Sequence, residues 1–245
     1  MDYLIKTTLA GLFFGTFGTT IGGIIGVTFK NTTNKFLSFV LQFAAGLMTA
    51  IICFDLIPEA IELSGLANTL IGILIGVIVM IFCDNIVKSK SSGRMRSKNS
   101  LLQTGIIVGI GLSLHNFPEG LAIGSGFGAS MKLGYSLAIA ILLHDIPEGI
   151  SMAVPMKNGG MSKVKVIIYT ILSGVTTGIG AFFGALVGKI SPNTISICLA
   201  FAAGAMLYIV SGELIPESNK LYKGRIGFVG NIVGFILGII AFTFE

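Results

Sequence analysis

The sequence predicts an all-α polytopic membrane protein with eight transmembrane helices, and three observations indicate this fold. Of the 245 residues, 53% are apolar and only 11% are charged, whereas soluble domains carry about a quarter charged residues. The mean hydropathy is +0.92, and at about 20 apolar residues per crossing the chain has room for roughly eight helices. The 34 glycines suit closely packed membrane helices. This composition excludes a soluble enzyme, a disordered chain and a disulfide scaffold.

Eight apolar stretches follow one another along the chain, and each is long enough to cross the hydrocarbon core of a bilayer. They cover residues 4–29, 36–59, 66–87, 103–127, 133–155, 164–188, 194–217 and 224–244. The first is too long for the apolar region of a signal peptide, so we expect it to be the first span. The sequence thus predicts one transmembrane domain over residues 1–245, with a flexible basic loop over residues 88–100.

The basic residues predict the orientation of these spans, because Lys and Arg accumulate in cytoplasmic loops. If the N-terminus is outside, the inner loops hold thirteen of the sixteen Lys and Arg residues: Lys30, Lys35, Lys88, Lys90, Arg94, Arg96, Lys98, Lys157, Lys163, Lys165, Lys220, Lys223 and Arg225. We therefore expect a multi-pass protein of the cell membrane (inner or plasma membrane) with both termini extracytoplasmic. The net charge of +5 is spread over short loops, so we expect no nucleic-acid partner.

Two sequence motifs occur twice, which predicts an internal repeat. Residues 43–59 (FAAGLMTAIICFDLIPE) and 201–217 (FAAGAMLYIVSGELIPE) are identical at more than half of their positions. They lie in spans two and seven, which cross in opposite directions in this topology. HNFPEG (115–120) and HDIPEG (144–149) form a second pair in the oppositely oriented spans four and five. Inverted repeats are typical of secondary transporters, whose binding sites lie near the bilayer midplane.

Both histidines of the chain and most of its acidic residues lie within the apolar spans. A charge at the bilayer centre costs about 2.5–3.5 kcal/mol on insertion scales, so such groups pair, face water or bind a cation. Each histidine is followed four residues later by a glutamate, which places both side chains on one helical face. These pairs are His115 with Glu119, and His144 with Glu148.

Asn116 and Asp145 directly follow the two histidines and can close a neighbouring side of the same cavity. Together the two motifs offer two imidazoles, two glutamates, an aspartate and an amide. This mixed set suits Zn²⁺, Fe²⁺ or Mn²⁺, whereas Mg²⁺ prefers oxygen ligands alone and Cu⁺ prefers sulfur. The proline in each motif is expected to break the helix and free a backbone carbonyl. The motifs therefore predict a site for one or two divalent ions, bound as substrate rather than as cofactor.

Two further carboxylate pairs repeat the spacing of four residues without histidine: Asp55 with Glu59 in span two, and Glu213 with Glu217 in span seven. Two close carboxylates in a low dielectric resist simultaneous ionisation unless a cation or shared proton lies between them. We interpret them as an outer entrance on span two and an inner exit on span seven. Glu59 and Glu217 have an alternative position at the membrane interface. Met48 is a weaker candidate for the path, since core packing is the more common role of such a methionine.

On these motifs the sequence resembles the ZIP (Zrt/Irt-like) metal transporters, and most closely their prokaryotic GufA-like branch. HNFPEG, HDIPEG and the DLIPEA and GELIPES elements carry the match, which covers essentially the whole chain. The resemblance implies a 3+2+3 inverted repeat, with spans one to three and six to eight around spans four and five. It implies extracytoplasmic termini and a binuclear metal site between spans four and five. It also implies transport of divalent metals into the cytoplasm, an elevator-like motion and, often, a homodimer.

The resemblance assigns the six motif residues to two metal sites. The first is matched by His115, Glu119 and Glu148, with His144 beside them. The second is matched by Asn116, Glu119, Asp145 and Glu148, in which the glutamates bridge the two ions. Asp55 and Glu213 match residues along the transport path of the family.

Span six departs from the family pattern. Many relatives carry a glutamate there, in a stretch similar to S-G-x-x-E-P that completes the second metal site, whereas residues 173–178 of this chain read SGVTTG. No acidic residue occurs in residues 164–188. We therefore place Thr177 on the transport path and expect a second metal site that is weaker, differently selective or absent. The loop over residues 88–100 contains no histidine, unlike the His-rich loops often found in the family.

Other protein classes also place metal-binding residues inside a membrane. An intramembrane metal-dependent hydrolase is disfavoured, because HxxxE with an embedded proline is not the HExxH motif of zinc hydrolases. A noncatalytic scaffold or metal sensor is a second alternative, and a metal exporter is a third. The sequence therefore predicts a secondary transporter of divalent transition metals, with Zn²⁺ first and Fe²⁺, Mn²⁺ or Cd²⁺ as further candidates, and not an enzyme.

Overall fold

The computed structural model describes residues 2–29, 32–94 and 100–243, which form helices joined by short connections. The helices are α1 (Asp2–Thr28), α2 (Asn34–Ile51), α3 (Ile57–Arg94), α4 (Ser100–Ala129), α5 (Met131–Asn158), α6 (Lys163–Val187), α7 (Pro192–Ile209), α8 (Ile215–Leu221) and α9 (Ile226–Thr243). Two π-helical turns, Ile52–Leu56 and Val210–Leu214, join α2 to α3 and α7 to α8. No strand occurs among the described residues, so the predicted all-helical class is confirmed for them.

Six continuous helical stretches within the described residues are long and apolar enough to cross a membrane. They are Tyr3–Thr28, Asn34–Val87, Gly105–Ala129, Met131–Asn158, Lys163–Val187 and Pro192–Leu221. The second contains 54 residues, and Gly65 interrupts its helical backbone with a φ of 81° and a ψ of 167°. Only glycine adopts this conformation readily, because it has no Cβ. A shorter apolar helix covers Ile226–Ala241. The prediction of a helical membrane protein is therefore confirmed.

The helices form two groups. In the first, α1 lies against α5 and α6, and α4 lies against the same two helices. In the second, α2 packs on α9 and α3 packs on α7. Contacts of α4 with α7 and of α2 with α5 join the groups. The two helices that carry the HxxxE motifs, α4 and α5, therefore lie at the junction.

The closest helix approaches recur at equivalent places of the repeated sequence. At four of them a Cβ would overlap a backbone carbonyl of the neighbouring helix: Gly46 faces Asn231, Gly204 faces Ile73, Gly120 faces Thr177, and Gly149 faces Thr19. Gly46 and Gly204 end the two FAAG segments, and Gly120 and Gly149 end the two motifs with histidine. Glycine is required at these places because only a residue without a side chain lets the backbones come so close.

Successive contacts give the relative directions of neighbouring helices. The second half of α3 and α7 run in the same direction, since their contacts advance together: Ser64 with Ser196, Ile73 with Gly204, and Asp84 with Tyr208. α1 and α6 run in opposite directions, because Leu12 meets Gly178 whereas Gly23 meets Thr170.

Proline affects the motif-bearing helices in two ways. α4 continues through Pro118 and α5 continues through Pro147, so the breaks expected at these prolines do not occur. In the DLIPE and GELIPE segments a π-helical turn comes before the proline, which is Pro58 or Pro216. Ile57 there donates to the Ile52 carbonyl and Ile215 donates to the Val210 carbonyl, each five residues back. Such turns are frequent at functional sites, and these two contain Asp55 and Glu213.

The predicted basic loop lies only partly within the described residues. α3 extends to Arg94 and α4 begins at Ser100, while residues 95–99 lie outside them. Of the residues that predict the orientation, Lys30, Arg96 and Lys98 also lie outside the described residues.

Candidate metal centre

The two HxxxE motifs meet where α4 packs against α5. All six of their polar residues are at most 3% exposed: His115, Asn116, Glu119, His144, Asp145 and Glu148. Buried ionisable groups are costly unless they are paired, hydrogen-bonded or bound to a cation. The partners of each group therefore decide what this centre can bind.

His144 is held in one tautomer. Its Nδ1 lies 3.1 Å from the carbonyl oxygen of Ala140, which can only accept, so Nδ1 carries a hydrogen. In the neutral ring Nε2 then has a lone pair, and it lies 3.0 Å from Oε1 of Glu119. Two such acceptors attract each other only through a shared proton or a cation. His144 and Glu119 thus form a place where a proton and a metal ion compete.

Glu119, His144 and Glu148 form the one group of three metal-type ligands found among the described residues. Their ligand atoms all lie within 4.8 Å of one another, and all three residues are fully buried. Asp145 lies beside them, with Oδ1 3.7 Å from Nε2 of His144. Within the described part of the chain, Oε2 of Glu119 and both carboxylate oxygens of Asp145 and of Glu148 have no hydrogen-bond partner. Unpartnered buried oxygens are rare, and several together suit a cation.

His115 contacts a different helix. Its Nε2 lies 3.1 Å from Oε2 of Glu213, in the π-helical turn after α7. The Glu213 side chain is 27% exposed, whereas that of His115 is 4% exposed. This pair connects the buried centre with a partly exposed carboxylate. His115 is therefore close to the predicted metal site but outside its most compact group.

A cavity of about 290 Å³ lies beside His115 and Glu213. Its lining also includes Asp84, Glu217 and Lys220. Nζ of Lys220 lies 3.1 Å from Oε2 of Glu217, and the Lys220 side chain is 74% exposed. The cavity thus extends from the buried centre to the surface near Lys220.

The equivalent region on span two is packed. Ser136 of α5 donates a hydrogen bond to Oδ2 of Asp55 at 3.2 Å. Leu137 and Ile141 follow on the same helix and are fully buried in the main apolar cluster. Glu59 lies one turn beyond Asp55 and is partly exposed.

Asn116 and Thr177 lie at the contact of α4 with α6. Nδ2 of Asn116 donates to the carbonyl oxygen of Ser173 at 2.9 Å and to Oγ of the same residue at 3.3 Å. Oδ1 of Asn116 and Oγ1 of Thr177 are buried and have no hydrogen-bond partner among the described residues. Thr177 is fully buried. Both oxygens are neutral acceptors that suit a cation or a water molecule.

Met48 lies in the main apolar cluster and is fully buried, as is Met206 at the equivalent position of the repeat. Its surroundings agree with the packing role that the sequence favours over a place on the path.

Three polar residues around the centre are not among those that the sequence motifs predict. Asp84 accepts a hydrogen bond from Tyr208 at 2.6 Å, and its position inside an apolar stretch could have identified it, as for the other buried acids. Ser173 lies in the SGVTTG segment, but it is uncharged, so its presence within a membrane span does not indicate a functional role. Ser136 has no sequence signal, because serines are common in packed membrane helices.

Comparisons with known proteins give one consistent result. A family model described as ZIP zinc transporter matches residues 88–244. The chain is 34% identical to the zinc transporter ZupT of Akkermansia muciniphila, over 95% of this chain and 93% of that protein. It is 33% identical to the zinc transporters ZupT of Shigella dysenteriae serotype 1 and Escherichia coli O127:H6, over 89% of this chain and 87% of each of those proteins.

Proposed function

The chain belongs to the ZIP zinc transporter family, and we propose that it is a secondary transporter that moves divalent transition metal ions into the cytoplasm. The observation that carries this proposal is the buried group of Glu119, His144 and Glu148 with its unpartnered carboxylate oxygens. Zn²⁺ is the first candidate, and Fe²⁺, Mn²⁺ and Cd²⁺ are further candidates. The chain is not an enzyme, since the members of this family are transporters, and the hydrolase alternative has no support.

The charge of the centre favours one or two bound ions. Glu119, Asp145 and Glu148 carry up to three negative charges in a fully buried region. One divalent ion compensates two of these charges, which leaves the third for a proton or a second ion. We place the first ion among Glu119, His144 and Glu148, and a second, weaker one among Asn116, Glu119, Asp145 and Glu148. Thr177 supplies only a neutral hydroxyl where the family pattern has a glutamate.

The exit path runs through the cavity beside His115 and Glu213. Nε2 of His115 can take the ion from the buried glutamates and pass it to the partly exposed carboxylate of Glu213. From there the cavity leads past Glu217 to the surface near Lys220, which the distribution of basic residues places on the cytoplasmic side. Asp55 and Glu59, on the opposite repeat, form the entrance.

We further propose eight spans in a 3+2+3 inverted repeat. The break at Gly65 supports two spans within Asn34–Val87, and α9 supplies the eighth. The parallel course of α3 and α7 and the antiparallel course of α1 and α6 agree with alternating crossings. The matched glycine contacts support the repeat, because equivalent residues meet equivalent neighbours.

The remaining parts of the proposal rest on the sequence. We assign the protein to the cell membrane with both termini extracytoplasmic, on the distribution of Lys and Arg. Residues 88–100 are assigned to a basic cytoplasmic connection that begins within the last turns of α3, and residues 1–245 to one transmembrane domain. The homodimer rests on the family resemblance alone, and the lack of a nucleic-acid partner rests on the dispersed charge.

Metal uptake into proteoliposomes tests the proposed function. Purified protein is reconstituted with a metal-sensitive dye inside the vesicles, and Zn²⁺, Fe²⁺, Mn²⁺ and Cd²⁺ are added outside. Flux should be present with the wild-type chain and lost in Glu119→Gln and His115→Ala. Glu62→Gln, an exposed carboxylate outside the centre, is the control and should retain flux. Peptide or lipid cleavage without flux, or equal flux in Glu119→Gln and Glu62→Gln, would contradict the proposal.

A further inference from the structure

The amide nitrogen of Asn116 is hydrogen-bonded to one residue of α6. Its side chain is fully buried, and both hydrogen bonds of Nδ2 go to Ser173, one to the backbone carbonyl and one to Oγ. Oδ1 points to no hydrogen-bond donor in the described part of the chain. The nitrogen of this amide is therefore anchored while its oxygen is left free.

The neighbours of an asparagine decide which end of its amide faces which way, because oxygen and nitrogen have nearly the same shape. The carbonyl of Ser173 can only accept, so it requires the NH₂ group on its side. A rotation of the amide by 180° would place Oδ1 against that carbonyl oxygen. It would also place the NH₂ group where the buried, unpartnered Oδ1 now lies, so that two N–H donors would replace an acceptor there. Ser173 opposes this rotation.

The contact depends on the close approach of α4 and α6. A Cβ at Gly120 would overlap the Thr177 carbonyl, and a Cβ at Gly180 would overlap the Phe117 carbonyl. These glycines bring the backbone of α6 within hydrogen-bond distance of an α4 side chain. Thr176 also donates to the Ser173 carbonyl, at 2.6 Å.

A helical threonine commonly donates to the carbonyl four residues back, which for Thr177 is that of Ser173. Asn116 and Thr176 both donate to this carbonyl, whereas the buried hydroxyl of Thr177 has no partner among the described residues.

We propose that Ser173 is a positioning residue for metal binding, because it orients Asn116 so that Oδ1, and not the NH₂ group, is presented to the ion. This inference rests on the proposed metal centre and adds a residue of α6 to it. Ser173 does not bind the ion itself. Its carbonyl and its hydroxyl accept from Nδ2 of Asn116, so they determine that Asn116 offers an oxygen rather than an NH₂ group to the ion.

Equilibrium binding of Co²⁺ to the purified full chain tests this inference, since the visible absorption of Co²⁺ reports its ligands as well as its affinity. Ser173→Ala removes the hydroxyl and keeps the carbonyl. We expect a Kd increased by about 2- to 10-fold, as for the loss of one hydrogen bond, together with a changed absorption spectrum. Ser125→Ala is the matched control: this serine is also fully buried, but its hydroxyl bonds only to carbonyls of its own helix.

Asn116→Asp tests the role of the carbonyl. The substitution keeps the shape of the side chain and adds a negative charge, which by simple attraction would tighten Co²⁺ binding. If Ser173 orients this side chain, the oxygen that replaces Nδ2 faces the Ser173 carbonyl and is repelled. Binding should then be no tighter than in the wild type.

Three results separate the inference from the proposed function. Equal Kd values and spectra for Ser173→Ala and Ser125→Ala, beside tight wild-type binding, would overturn the positioning role alone. Tighter binding by Asn116→Asp would overturn it as well. Absence of Co²⁺ binding by the wild type would instead contradict the metal centre, and with it the proposed function. The melting temperature of each metal-free variant reports whether the chain is folded.

Discussion

His115 and His144 begin the same motif, yet they lie in different surroundings. His144 is fully buried, its tautomer is set by the Ala140 carbonyl, and its Nε2 faces Glu119. His115 faces the partly exposed Glu213, beside a cavity of about 290 Å³. At the equivalent place on the His144 side, Ser136 donates a hydrogen bond to Asp55. Leu137 and Ile141 of the same helix are packed in the main apolar cluster.

The comparison shows how two equivalent motifs can lie in unequal surroundings. If both halves were alike, the centre would be open on both sides or on neither, and the membrane would leak or the ion would stay. In this structure both motifs supply the buried metal-type ligands, whereas the cavity lies only beside the His115 and Glu213 pair. Exchange of the two arrangements between the halves would open the other side, which is the alternating access expected of inverted repeats.

The largest effect should come from the ligands on the buried side. Glu119→Gln keeps the shape of the side chain but removes its negative charge. That charge lies beside Nε2 of His144 and the carboxylate of Glu148. We expect Co²⁺ or Zn²⁺ affinity to fall by more than about 100-fold, since even outer-shell changes cost 10- to 100-fold. Isothermal titration of the purified variant measures this. An affinity within tenfold of the wild type would mean that the compact group is not the principal site.

Acidification should weaken metal binding at the same group. The ligands must lose their protons before they bind, so the metal affinity falls as pH falls, by up to about tenfold per pH unit for each displaced proton. Binding measured between pH 8 and pH 5.5, with the release of protons followed in weak buffer, checks this. A flat profile would contradict the competition of proton and metal between His144 and Glu119.

Filling the cavity should block transport without affecting the buried ligands. A Cβ at Gly111 would lie 3.9 Å from Oε2 of Glu213, so a leucine there extends into the space beside it. We expect flux through Gly111→Leu to fall by about tenfold, while the Kd for Co²⁺ stays unchanged. Gly111→Ala, which adds only the tolerated Cβ, is the control. Equal flux in both variants would show that the ion leaves by another route.

A negative charge at Thr177 should strengthen the proposed second site. Thr177 is fully buried with an unpartnered Oγ1, at the position where the family pattern has a glutamate. We expect Thr177→Glu to raise the amount of bound Zn²⁺ by up to one ion per chain, which metal analysis and anomalous diffraction can count. Thr177→Gln has the same size without the charge and should leave the stoichiometry unchanged. Unchanged stoichiometry in Thr177→Glu would count against this account of the second site.

The smallest effect should come from the closed side. Ser136→Ala removes the hydrogen bond to Asp55, worth about 0.5–1.5 kcal/mol, and should increase the time spent with the entrance open. The protein then spends less time with the cavity open. Gly212 lines the cavity and is exposed, so Gly212→Cys can report this change. Its thiol should react several-fold more slowly with a thiol reagent. Cys53 and Cys83 are replaced by serine in this background. Ser113→Ala, whose hydroxyl bonds only to the Gly109 carbonyl, is the control; equal rates in both variants would contradict the role of Ser136.

The sequence predicted the helical class and the residues of the compact group, because both depend on local patterns. Apolar stretches of about 20 residues have few alternatives to a membrane helix, and the spacing of His144 and Glu148 puts them on one face whatever surrounds them. The partner of His115 could not be predicted in this way, since Glu213 reaches it from a distant helix. Nor could the contact of Asn116 with Ser173, which depends on how closely two backbones approach.

The prolines show the same limit. Pro118 and Pro147 were expected to break their helices, but both helices continue through them. The irregular geometry lies instead in the π-helical turns before Pro58 and Pro216. Local preference identifies a residue that disturbs a helix, but the neighbouring helices decide where the backbone yields.

The two π-helical turns have a consequence for the register of their spans. Each turn closes its hydrogen bond over five residues instead of four, so the helix that follows is out of phase with the helix before it by one residue, or about 100°. A single helical wheel drawn through such a span assigns Glu59 or Glu217 to the wrong face. Each span therefore consists of two α-helices with separate helical phases. The loss or gain of one residue at the π-helical turn would rotate one of these helices while the other kept its contacts.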